Sequence, residues 1–93
     1  MTTYFLTSIR TVSDSRTFGY YRNIDDAFIS VISNIGDMCE CYYNYLIIEG
    51  IEEGIHPFVQ SEFWFHWSNK ENKWKQLISK PECFNGITNW ALG

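Results

Sequence analysis

Residues 23–37, NIDDAFISVISNIGD, decide the fold. Their apolar members Ile24, Ala27, Phe28, Val31, Ile32 and Ile35 are spaced three and four apart, as one face of an α-helix requires. Asn23 offers a side-chain oxygen for the N-cap, and Asp25 and Asp26 sit in the first turn, where the helix dipole favours negative charge. Gly36 is placed to end the helix in a left-handed conformation. The spacing predicts one amphipathic helix with a single buried face.

Everything around it reads as strand. Residues 3–12, TYFLTSIRTV, are rich in β-formers and contain no breaker. Alternation puts Phe5 and Ile9 on one face and Leu6, Ser8 and Arg10 on the other. Ser13-Asp14-Ser15 is a turn cluster, and RTFGYYR (16–22) follows as a short second strand in which Gly19 admits a bulge or a close backbone approach. Beyond the helix, CYYNYLIIEGI (41–51) is apolar on both faces, as a central strand must be. EEGIHPF (52–58) is a loop marked by Gly54 and Pro57. EFWFHW (62–67) and KWKQLI (73–78) form two strands around the polar turn SNKEN. There Phe63, Phe65 and Trp67 alternate with Glu62, Trp64 and His66, and Trp74 and Ile78 continue the pattern. In the tail, Pro81 opens a short helical turn, Gly86 ends it, and Ile87, Trp90 and Leu92 pack back. The sum is an α+β fold: a small two-layer domain with one amphipathic helix on an antiparallel sheet of about four to five strands. Residues 1–93 form a single domain.

The net charge of −4 argues against direct nucleic-acid binding. No apolar run has the length of a membrane span or a signal peptide, which points to the cytoplasm without membrane attachment. Three cysteines, Cys39, Cys41 and Cys83, suit that compartment as reduced core thiols. With His56 and His66 they offer zinc ligand types but not the paired spacing of a zinc site, so no metal is expected. No phosphate loop is present, and neither histidine carries the flanking signature of a catalytic base; no cofactor and no catalytic residue are expected, and the protein reads as a non-enzyme.

Charge is distributed unevenly. All three arginines, Arg10, Arg16 and Arg22, lie near the N-terminus, and the four lysines fall within residues 70–80. Eight of the eleven acids lie between Arg22 and Lys70. If the first two strands pair, Arg10 and Arg16 approach across the ladder, which requires something negative between them. Glu49 is one candidate and a bound phosphate another, because guanidinium matches phosphate bidentately. Lysines on an exposed hairpin protect an edge. Tyr20, Tyr21, Tyr43, Tyr45, Trp64 and Trp67 supply flat faces on which a base stacks.

The series Arg10-Thr11, Arg16-Thr17-x-Gly19-Tyr20, Tyr43-Asn44-Tyr45-Leu46-Ile47-Ile48-Glu49 and Trp64-Phe65-x-Trp67 resembles a set of small uncharacterised proteins of low-GC Gram-positive bacteria and their phages and mobile elements. The resemblance covers roughly residues 4–67 and implies a phage or mobile-element setting. Small proteins of that setting act against host defence by sequestering a nucleotide signal or by blocking an effector such as a CRISPR nuclease. The expected function is accordingly a non-enzymatic anti-defence protein that binds a small phosphorylated ligand. Arg10, Arg16 and Arg22 would hold phosphates, Tyr20, Tyr43, Tyr45 and Trp64 would border the base, and Glu49 would orient an arginine or a ribose hydroxyl; a homo-oligomer would close the pocket. The alternative is an acidic inhibitor of a host defence protein, mimicking nucleic acid through Glu49, Glu52, Glu53 and Glu62.

Overall fold

The computed structural model describes residues 2–39, 43–54, 59–87 and 89–91. The expectations for Cys41, His56, Pro57 and Leu92 therefore lie outside the described residues. Five strands, β1 (Thr2–Thr11), β2 (Asp14–Tyr21), β3 (Tyr45–Glu52), β4 (Val59–Ser68) and β5 (Lys73–Gln76), form one antiparallel sheet in the order β2-β1-β3-β4-β5. Helix α1 (Ile24–Ile32) packs on one face, and a short 3-10 turn (Glu82–Phe84) begins the tail segment that lies over the other. The α+β reading stands, with β3 in the middle and Leu46–Ile51 buried along its length.

The two faces have distinct cores. On the helix side Leu6, Leu46, Ile48, Phe65 and Trp74 meet Ala27, Val31 and Met38. Burying each large side chain contributes roughly 1.5–3 kcal/mol. Phe28 wedges edge-on between Phe63 and Phe65, with ring centroids 5.2 and 5.6 Å away. On the tail side Ile9, Ile47 and Trp64 meet Phe84, with Tyr45, Leu77 and Trp90 at the margin. The bulge lies at Phe18: Leu6 pairs with Gly19 but Thr7 pairs with Thr17, leaving Phe18 as the extra residue.

Several local expectations shift. The second strand is longer than RTFGYYR, since Thr11 already pairs with Asp14 across a turn at 12–13. Asn23 does cap α1, its Oδ1 accepting from the Asp25 N–H at 2.8 Å. The helix stops one turn early, however. The N–H of Asn34 donates to the Val31 carbonyl and that of Ile35 to Ser30, the paired bonds of a Schellman ending. Asn34, not Gly36, takes the first left-handed position, at φ 47°. Ending there turns Ile32 and Ile35 outward, 68% and 55% exposed, while Ser30 takes a buried position and its hydroxyl donates to the Tyr21 hydroxyl. Ile78 likewise leaves the pattern and is fully exposed, because β5 ends at Gln76.

Candidate functional site

Cross-strand register arranges the tail-side face in rows. Ser15, Ile9, Tyr45, His66 and Lys75 form one row, and Thr17, Thr7, Ile47 and Trp64 the next. Tyr20, Phe5, Glu49 and Glu62 form a third. Alternation places Glu49 on this face, between Ile48 and Gly50 that point the other way. Its side chain is completely buried, and its two oxygens accept from the backbone N–H groups of Trp90 and Ala91, each at 2.9 Å. Burial raises the Glu49 pKa above its ordinary 4.5. The two N–H groups oppose that rise, Glu62 directly across the ladder adds to it, and Lys80 opposes it.

Above the rows lies an aromatic cluster. Phe84 stacks on Trp64 with centroids 5.7 Å apart and 16° between planes, and Tyr45 and Trp90 meet Phe84 edge-on at 5.2 and 5.3 Å. Lys80 turns inward here. Its ammonium donates to the Ile87 carbonyl and stands 6.0 Å from the centre of the Trp64 ring. It differs in this from the lysines of the hairpin: Lys70, Lys73 and Lys75 are exposed, Lys80 is half-buried. The chain bends at Ile78–Ser79, just beyond the end of β5, and Lys80 follows that bend.

Two cavities flank the segment Leu77–Lys80. The larger, about 590 Å³, is lined by Tyr45, His66, Ser79, Lys80, Glu82 and Cys83, among others. The smaller, about 330 Å³, lies between Trp64, Glu62 and Gln76 on the sheet and Ile78 to Lys80 above it. Cys83 is exposed at the cavity rim rather than in the core, since the 3-10 turn buries Phe84 instead. Among the described residues no three His, Cys, Asp or Glu side chains gather around a point where a metal could sit.

The eight expected ligand residues do not converge. Tyr20, Tyr45, Glu49 and Trp64 share the tail-side face, but Glu49 and Trp64 are buried in it. Arg10 pairs with Asp14, which also accepts from the Tyr43 hydroxyl at 3.3 Å. Arg16 stands opposite Ser8 on the helix side, its guanidinium 4.9 Å above the Phe18 ring. Arg22 follows the far end of β2 and is exposed. The negative partner across the hairpin is thus Asp14, four residues from Arg10, and Glu49 is committed to the tail. The acidic set also divides: Glu49 is buried, Glu62 accepts from the Trp64 indole at 3.0 Å, Glu52 accepts from the Thr2 hydroxyl at 3.1 Å, and Glu53 is exposed. His66 was missed as a neighbour of Lys80 and Cys83 because the bend at Ile78–Ser79 returns the chain over β4, and no local window links residues 14 or more apart.

No protein-family model, curated protein or solved structure matches the chain.

Proposed function

We propose that this chain is a non-enzymatic binding protein that captures a small phosphorylated ligand of nucleotide type in the tail-side cavity. In a phage or mobile-element setting, and so in the host cytosol, it would sequester a nucleotide immune signal. One observation carries the reading: Tyr45, His66 and Lys80 line the same open cavity of about 590 Å³, within the size range of small-molecule sites. The Lys80 ammonium gives one hydrogen to Ile87 and keeps two for phosphate oxygens. His66 adds a second polar contact, the Tyr45 ring offers a face to a base, and Glu82 can accept from ribose hydroxyls. Because the cavity is open, a second protomer closing it would serve retention.

The test is a thermal-shift panel of mono-, di- and cyclic nucleotides. A ligand at about 100 times its Kd stabilises by about 2.7 kcal/mol. For a domain of this size that moves the midpoint by roughly 10–20 °C. Lys80→Ala is expected to abolish the shift, and Arg16→Ala, on the opposite face, to preserve it. A flat panel, or a shift that survives Lys80→Ala, refutes the reading.

A second reading has its own observation. Ile29, Ile32 and Ile35 are 55%, 68% and 55% exposed on α1 and its end, flanked by the exposed Asp25, Asp26 and Asp37. An apolar patch rimmed by acids suits a host protein with a basic rim. Binding of that kind would weaken as salt rises and on Asp25→Lys with Asp26→Lys, and would ignore Lys80→Ala.

A further inference from the structure

The tail segment is held to the sheet in an unusual way. Backbone hydrogen bonds within Glu82–Ile87 are local, from Phe84 to Pro81, Asn85 to Glu82 and Ile87 to Phe84. Among the described residues no backbone–backbone bond joins Glu82–Ile87 or Asn89–Ala91 to a strand. What attaches them is ring packing on Trp64 and Tyr45, the Lys80 bond to Ile87, and the Glu49 carboxylate beneath Trp90 and Ala91.

Closure also carries costs that the sheet does not share. The Trp90 indole N–H and the Asn89 side-chain oxygen are buried without a hydrogen-bond partner among the described residues. Unpaired buried groups of this kind disfavour the state that buries them. Glu49 must be desolvated under the segment, with Glu62 beside it. Gly86 and Asn89 hold left-handed backbone at φ 84° and 57°, so both are points where the chain turns sharply. The sheet, by contrast, pairs β1, β3 and β4 with a hydrogen-bonded strand on each side.

We propose that the tail is a strap that opens as a unit of its own while the five-stranded sheet and α1 stay folded, uncovering the apolar seat formed by Tyr45, Ile47 and Trp64. Local units with few backbone bonds and unsatisfied groups open well below the global unfolding free energy. Opening also removes one wall of the cavity lined by Lys80, Glu82 and Cys83. Strap opening dismantles that side of the cavity whatever occupies it, so the inference stands without the ligand reading.

Native-state hydrogen exchange on the wild-type chain tests this in graded low guanidinium. The Trp90 and Ala91 amides are expected to be at least roughly a hundredfold less protected than the amides of Leu46–Ile48. Their exchange should barely respond to denaturant, because a small opening exposes little surface. Equal protection with a common denaturant slope would overturn the proposal. Trp90→Ala gives an independent arm: the variant should keep the protected sheet amides and gain binding of a hydrophobic dye. If it loses the sheet instead, the strap is part of the global fold and the inference fails.

Discussion

Asn34→Ala is the most informative substitution for the fold, because one side chain closes the helix and ties it to the far edge of the sheet. The Asn34 Oδ1 accepts from the Met38 N–H and from the Trp74 indole N–H, each at 3.1 Å. Its amide donates to Asp37 at 3.3 Å and lies 3.6 Å from the Cys39 sulfur. Met38 and Trp74 are 2% and 5% exposed, so truncation strands two buried donors. Each stranded donor costs about 1–3 kcal/mol. Alanine at φ 47° adds about 1 kcal/mol that asparagine largely avoids. The expected loss is about 3–7 kcal/mol, a large part of the roughly 5–15 kcal/mol that holds a domain together. Asn34→Gly relieves the backbone and should recover about 1 kcal/mol of that. Asn34→Asp keeps both accepted bonds and tolerates the left-handed position, so it should lose least, about 1 kcal/mol, through the carboxylate it places beside Asp37. Equilibrium urea unfolding followed by circular dichroism reads the order Asp, Gly, Ala directly. If glycine is as damaging as alanine, the backbone contribution is wrong; if aspartate matches alanine, the accepted bonds carry no weight.

Other expectations follow from single contacts. Glu49 has a pKa raised by burial, so the folded state holds its proton more tightly than the unfolded state. Its contribution is therefore fully present below pH 4.5 and is lost as pH rises through the raised folded value. Urea titrations across that window should show a downward slope that Glu49→Gln abolishes; the same slope in the variant would assign it elsewhere. Gly50→Ala drives a Cβ into the Ser61 hydroxyl and within 3.1 and 3.3 Å of Tyr4 and Thr2, and should cost about 1–3 kcal/mol by calorimetry. Gly50→Ala combined with Ser61→Gly should regain part of it, and no regain would mean that Tyr4 and Thr2 set the cost. Ile32→Lys, at a position 68% exposed on the last turn of α1, should change stability by no more than about 0.5 kcal/mol. A loss of several kcal/mol would return Ile32 to the core.

Periodicity made the layers legible. Spacings of three and four marked α1, and apolar character on both faces marked β3 as central, because those patterns follow from backbone geometry alone. Where two signals competed, the pattern overran the element. Ile32 and Ile35 continued the helical spacing, yet Asn34 ended the helix with bonds to Met38 and Trp74 that lie 4 and 40 residues away. The Trp74 partner is invisible to any local window. Ile78 failed for a similar reason, since the ladder with β4 ends at Gln76 and alternation has no meaning beyond it.

The candidate site was less legible because charge has no period. Three arginines in thirteen residues suggested convergence, but a hairpin disperses what sequence gathers. Alternation sends Arg16 to the helix side, the turn satisfies Arg10 with Asp14, and the end of β2 leaves Arg22 a strand's length away. Glu49 had the opposite history. In sequence it read as a partner for an arginine or a ribose hydroxyl; in the fold, parity puts it on the tail-side face and two backbone N–H groups of the returning chain settle on it. Each of its oxygens keeps an acceptor site, but the complete burial of Glu49 under that chain leaves no path for an arginine or a partner protein to reach it. Among the described residues, the one cation that acts on it, Lys80, arrives with the same returning chain. The tail therefore decides both which acids are free and which cation faces a cavity, and its placement on the sheet is the feature from which the rest of the site follows.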